Sequence, residues 1–370
     1  MPLGAGQKNN LLNLTLDLWE DQVFFEERTY PAGYFAASVM NRTVEQNTDL
    51  LVKAGHLLQD ISVFIKADRH GAHAVLGKIK PQLIALLDDI WRIEPFSLLD
   101  MDNELTTIAT LFSEQYLDRL MCEDSRELEF FLRYVNGVIR VGQAVVNFSS
   151  VAWTLEARYL HRLKKRNETF YVHAVMDCFQ NKELWEEVKK YELLPVENFT
   201  LSPKLQAGTA LLRHPSKDMT MVFATRFLFD QYIDFYIYDL INGMHCGHAP
   251  FLCENCGRYY LATTGYMTKY CDGVSPQNPK YTCRQYGALN HQKEQNKNHP
   301  IYRLFKTRTN SIRKQHERGQ ITTELRKTAI TLAEAYRDKA LFDNAYAANG
   351  YVRDMELANL CAEAERRLGG

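Results

Sequence analysis

Apolar residues recur at three- and four-residue spacing through most of the first half of the chain. In residues 49–66 the set Leu50, Leu51, Ala54, Leu57, Leu58, Ile61, Phe64 and Ile65 marks one helix face. Pro81 suits the first turn of a second helix, where its missing N–H is not needed, and Leu83, Ile84, Leu87 and Ile90 form the stripe. Leu105, Ile108, Leu111 and Phe112 predict a third helix, and Leu128, Leu132, Val135 and Ile139 a fourth. Ala152, Leu155, Tyr159 and Leu163 predict a fifth, and Val172, Val175, Met176 and Phe179 a sixth. The pattern is that of an N-terminal helical bundle. The Val-rich run from Val138 to Phe148 also permits a short β element, because β-branched residues suit either state.

Residues 191–217 change character, with Pro195, Pro203, Pro215 and scattered Asn, Thr and Ser, as in an irregular connection. A long helix is expected from Met219 to Gly243, with Arg226, Asp230 and Asp234 at i, i+4 and i+8 making ion pairs along its face. Two polar, basic helices at 284–298 and 301–318, separated by His299-Pro300, follow a cysteine cluster, and helices at 321–342 and 351–368 close the chain. The expectation is a mainly α protein: a helical region 1–216, a connecting helix 217–250, a four-cysteine knuckle with basic helices 251–320, and a helical tail 321–370. Met221 to Ile241 is the most hydrophobic stretch, but Arg226, Asp230, Asp234 and Asp239 interrupt it. A membrane span would bury those charges at high cost, so a buried helix is expected and no membrane partner.

Charge sharpens this division. The 370 residues carry a net charge of −1, yet residues 1–130 hold 11 Lys/Arg against 21 Asp/Glu, while residues 284–327 hold 11 against 3. A basic surface that meets an anionic partner accounts for the second segment, and so does an ordinary solvated helix face. The N-terminus shows no basic region followed by an apolar stretch, so no secretory signal is expected. Of eight cysteines, four have metal-ligand spacing, which fits a reducing cytoplasm. Cys122, Cys178 and Cys361 stand alone in helical patterns as small core residues.

The four run C-x₂-C-x₁₄-C-x₁₁-C: Cys253, Cys256, Cys271 and Cys283. Two thiolates two residues apart grip one ion from a single tight turn, and Gly257 permits the left-handed backbone that such a knuckle needs. Arg258-Tyr259-Tyr260-Leu261 continues as a short strand, Gly265 allows a return, and Cys283 stands where the next helix begins. Four thiolates complete a tetrahedral Zn²⁺ and leave no position for water or substrate, so the expected cofactor is a structural zinc ion. His245, Cys246 and His248 just upstream have the donor types for a second site or for replacing one ligand, but are expected to do neither.

The run Asp239-Leu240-Ile241-Asn242-Gly243, then Cys253-Glu254-Asn255-Cys256-Gly257-Arg258-Tyr259-Tyr260, Tyr270-Cys271 and Thr282-Cys283-Arg284, resembles a treble-clef-type zinc knuckle. It is similar to that of a group of uncharacterised bacterial proteins common in Firmicutes. In that group a helix leads into the knuckle and a Lys/Arg-rich segment with an Asn-x-Pro-Ile-like junction follows, as Asn298-His299-Pro300-Ile301 does here. The knuckle also resembles the CGNR zinc fingers of bacterial transcription factors, although Arg284-Gln285-Tyr286 replaces their Gly-Asn-Arg. The resemblance spans roughly residues 235–342 and implies no reaction.

Three functions are compatible with this sequence. A zinc module that fixes the start of a basic helix presents Arg284, Lys293, Lys297, Arg303, Lys306, Arg308, Arg313 and Lys314 to DNA or RNA phosphates. Alternatively, Arg166-Asn167-Glu168-Thr169-Phe170-Tyr171-Val172-His173 resembles the active motif of HEPN ribonucleases, helical effectors of phage defence. That resemblance implies His173 as general base and Arg166 on the phosphate, with a dimer completing the site. In the third reading the zinc only organises an interface with a protein partner or a second copy. No Walker A, G-x-S-x-G, H-E-x-x-H or Rossmann signature is present. His70 and His73 form a pair without an acidic partner.

Overall fold

Two short hairpins precede the first helix. β1 (Thr15–Trp19), β2 (Gln22–Phe25) and β3 (Arg28–Pro31) are joined by two-residue loops. Glu20, Glu26 and Glu27 sit at φ of 55°, 45° and 61°, the left-handed region that tight hairpins require. The computed structural model describes residues 9–67, 69–120, 126–181, 205–214, 217, 220–229, 231–266 and 268–369. The chain forms two compact units, residues 1–271 and 272–370.

In the first unit α1 (Tyr34–Val39), α2 (Val44–Lys66), α3 (Arg69–Ile90), α4 (Met101–Leu111), α5 (Glu114–Leu120), α6 (Arg126–Arg158) and α7 (Glu168–Gln180) follow the hairpins. Then come β4 (Leu205–Arg213), β5 (Met221–Phe229), α8 (Tyr232–His245), β6 (Ala249–Leu252) and β7 (Tyr259–Ala262). The unit is mainly helical, as the periodicity predicts, with three corrections. Pro81 lies inside α3, not at its start, and Ala72, Leu76 and Ile79 extend the buried stripe before it. The fourth predicted helix and the start of the fifth are one helix, α6, which runs unbroken through Val138 to Phe148; the valines there are buried helical residues.

The third correction is the largest. Residues 221–229 are a strand, not the start of a long helix, and the sheet runs β3-β2-β1-β5-β4, antiparallel throughout. The run Met-Val-Phe-Ala-Thr-Arg-Phe-Leu-Phe is rich in β-branched and aromatic residues, and two strand partners outweigh its helical spacing. Arg226 therefore pairs across the sheet with Asp17, through Nε and Nη2 at 2.7 Å each, rather than along a helix. Asp234 is buried on α8, and Asp230 lies outside the described residues.

Two residues of α8 hold it against the first helix. Asp239 accepts hydrogen bonds from the N–H groups of Gly33 (3.0 Å) and Ala36 (2.9 Å) at the start of α1. Burial pushes its carboxyl up to about 6, while those N–H groups pull the other way. Gly243 allows the close approach, since a Cβ there would meet the Cα of Gly33 at 2.7 Å. The Asp239-to-Gly243 segment of the knuckle-like pattern is thus a docking device for α1.

The second unit contains α9 (Cys283–Asn298), α10 (Pro300–Glu317), α11 (Thr323–Phe342), α12 (Asn344–Asn349), α13 (Tyr351–Asp354) and α14 (Leu357–Gly369). Ile312, Leu325, Leu332, Tyr351, Met355 and Leu360 form a small core of their own. The terminal helix expected at 351–368 is two pieces, broken at Met355 and Glu356. Among the described residues no helix is long and apolar enough to cross a membrane.

Candidate metal centre

β6 delivers Cys253 to the start of a tight turn. Its N–H donates to the Arg258 carbonyl (2.9 Å), and the Gly257 N–H donates back to the Cys253 carbonyl (2.9 Å). Gly257 adopts φ 68°, so the turn uses the backbone freedom that a side chain would restrict. β7 runs back along β6, pairing Leu252 with Tyr259 and Ala249 with Ala262. The arm that carries Cys271 returns alongside the turn: Glu254 N–H donates to the Lys269 carbonyl (3.0 Å), and Cys271 N–H donates to the Cys253 sulfur (3.3 Å). Cys283 opens α9, its N–H bonded to the Gly273 carbonyl (2.8 Å). Thr282 and Gln285 form a reciprocal capping box there, at 3.2 and 2.9 Å.

The four Sγ atoms all lie within 4.8 Å of one another. Cys256 and Cys271 sulfurs are 3.7 Å apart, far beyond the roughly 2.05 Å of a disulfide. Thiolates at about 2.3 Å around a tetrahedral ion stand roughly 3.8 Å from one another, so the separation suits ligands of one metal. Cys253 and Cys283 are buried, and Cys256 and Cys271 half-buried. Burial pushes the Cys253 thiol up, but the backbone N–H groups of Cys271, Cys256 and Asn255 together prevail and lower it to about 7. The cluster is compatible with a metal ion and presents sulfur donors only.

Three side chains that the cysteine spacing does not signal anchor the β6–β7 segment and the loop after it within the first unit. Asn41 clamps Tyr259 from both sides of its peptide: the side-chain amide donates to the carbonyl (3.0 Å) and accepts from the N–H (2.8 Å). Glu156 of α6 accepts from Leu252 N–H at 3.3 Å. Arg166 is the third. It is buried, with its guanidinium 3.6 Å from the Phe251 ring centroid, and it donates to Thr268 Oγ1 (3.3 Å) and the Tyr266 carbonyl (3.5 Å). Tyr260 completes the loop by donating to the Thr268 carbonyl (2.6 Å). None of the three has a local sequence signal for this anchoring role, since each acts on residues remote in the sequence.

His173, by contrast, is on the exposed face of α7, whose start is capped by Asn167 accepting from Phe170 N–H (3.2 Å). Arg166 is occupied in the knuckle loop, and the two residues show no shared site. His245 lies 2.6 Å from Glu168 and His248 2.9 Å from the Ala32 carbonyl; neither joins a metal-ligand cluster among the described residues. His73 is exposed, and the His70 side chain and Cys122 lie outside the described residues. Burial raises the Cys178 thiol to about 11, as suits a core cysteine, and Cys361 is half-buried.

The basic residues divide. Arg284 is exposed but pairs with Asp272 at 3.0 Å. Lys293, Arg303, Lys306, Arg313 and Lys314 are exposed, Arg308 is half-buried, and the Lys297 side chain lies outside the described residues. Among the described residues no carboxylate pairs with Arg303, Lys306, Arg313 or Lys314; Arg313 only reaches Asn310 (3.4 Å).

Residues 200–367, which hold all four cysteines and the basic helices, match a family of unknown function (DUF6076). No curated protein and no solved structure matches the chain.

Proposed function

We propose that this is a zinc-binding protein that contacts nucleic acid phosphates through α10. The zinc assignment rests on an all-sulfur, mutually adjacent donor set, which suits Zn²⁺ and excludes the hard, oxygen-seeking cations. A closed four-thiolate site is structural, so the chemistry expected of it is folding and positioning, not catalysis. The treble-clef-like knuckle, a bacterial source and a reducing cytoplasm belong to the same reading. For the nucleic acid, the supporting observation is the outward stripe of Arg303, Lys306, Arg313 and Lys314, cations without carboxylate partners among the described residues.

Elemental analysis should find one Zn²⁺ per chain, lost in Cys256→Ser. Binding to single- or double-stranded DNA or RNA should fall steeply with salt, by roughly a hundredfold between 50 and 200 mM if four phosphates are contacted. Replacing Arg303, Lys306 and Arg313 together with Glu should abolish it and leave zinc content unchanged. Binding that persists in that variant, or none to any nucleic acid at low salt, would leave the zinc module as an interface organiser.

A further inference from the structure

α6 is buried along most of its 33 residues, yet one stripe of it is polar and concave. Arg133, Asn136, Arg140, Gln143 and Asn147 fall at helical spacing on one face and line a hollow of about 520 Å³. Between them stand the small residues Gly137 and Ala144, which also line it. Leu14, Phe229 and Ile233 supply an apolar floor, and Leu12 lies against Gly137, where a Cβ would meet its Cδ2 at 2.6 Å.

The polar rim has two properties that point to a ligand. None of its five side chains makes a hydrogen bond or ion pair among the described residues, and no carboxylate lines the hollow. Two guanidiniums thus face one cavity with no countercharge, in a chain whose first 130 residues are strongly acidic. Arg133 and Arg140 are two turns apart, about 10 Å along the axis, so their long side chains can converge on one anion from opposite sides. The three amides offer paired donors and acceptors, and the volume falls within the roughly 300–1,000 Å³ usual for small-molecule sites.

We propose that this hollow binds an organic phosphate of nucleotide size. Arg133 and Arg140 hold the phosphate by charge-assisted hydrogen bonds, the amides meet the polar edges, and the ring lies on the apolar floor. The site uses no residue of the four-cysteine centre or of α10, so it stands or falls apart from the function proposed above.

The test is calorimetric titration of the full chain with the four nucleoside 5′-monophosphates, with inorganic phosphate and the free nucleosides as control arms. At least one monophosphate should bind saturably at one per chain, about tenfold or more tighter than its nucleoside and than inorganic phosphate. Arg133→Ala and Arg140→Ala remove exposed side chains, so zinc content and ligand-free melting temperature should not change while affinity falls about tenfold or more in each. The proposal is overturned by the absence of saturable binding to all four monophosphates at millimolar concentration. Binding that survives the double Arg133→Ala/Arg140→Ala change overturns it too, as does inorganic phosphate binding as tightly as the nucleotides.

Discussion

α9 and α10 are consecutive, similarly polar helices, and the structure holds them by different physics. Of the described side chains of α9, only Cys283 and Gly287 are buried, and both lie in its first turns. α10 carries more charged residues but also Ile301, Leu304, Phe305 and Ile312, which pack into the core shared with α11 and α14. Arg337 of α11 covers Phe305, its guanidinium 4.6 Å from the ring centroid. A polar helix of about 16 residues without an apolar face is marginal in water. The lesson is that α9 depends on what happens at its first residue, a cysteine of the four-sulfur cluster beside a cap, whereas α10 depends on a hydrophobic face.

Removing the metal should therefore separate the two helices. If the site holds the zinc proposed above, stripping it with a strong chelator forfeits metal-binding free energy of the order of 10 kcal/mol, and α9 has little else to hold it. Hydrogen exchange should show α9 amides losing protection while those of α10, α11 and α14 keep theirs. Equal loss across 283–369 would mean that the metal organises the whole second unit and that the distinction is wrong. The high polarity of the segment suggests metal-dependent folding through residue 320, and the buried face of α10 is why the structure narrows that expectation to α9.

The complementary change attacks the core instead. Ile312 is fully buried, and Ile312→Ala should cost about 2–4 kcal/mol through lost burial and the cavity left behind. Denaturant unfolding of the second unit should shift accordingly, with zinc content and α9 protection unchanged under native conditions. If Ile312→Ala releases zinc, the two helices are energetically one element.

What the sequence discloses follows the same divide between local and distant causes. The four-cysteine cluster was legible because four cysteines and Gly257 act within 31 residues, and long helices were legible from their stripes. The first two hairpins were not, because Glu20, Glu26 and Glu27 occupy turn positions where Asn-Gly or Asp-Gly would have signalled them. β5 reads as helix from its own residues because its pairing with β1 joins residues some 200 apart, which no local window weighs. Arg166 lies on the same side of that divide: its guanidinium is engaged by Phe251, Tyr266 and Thr268, far along the chain, which its neighbours in sequence do not disclose.

The smallest predicted effect isolates the cap. Thr282 and Thr322 precede α9 and α11, and each hydroxyl accepts from the N–H three residues on, at 3.2 Å. The chemistry is the same, so each Thr→Ala change should cost about 1 kcal/mol. Where that cost appears should differ. Thr322→Ala weakens a helix packed in the core, so the melting temperature should fall by a few degrees with zinc affinity unchanged. At Thr282 the cap and the Cys283 thiolate fix the same helical turn, and ordering that turn is part of what metal binding must do. Losing the cap should then appear as zinc affinity about fivefold weaker against a competing chelator, a change of roughly 1 kcal/mol. Thr282→Ala with undiminished zinc affinity would mean that the ion alone imposes the start of α9, and that the capping box adds nothing once the metal is bound.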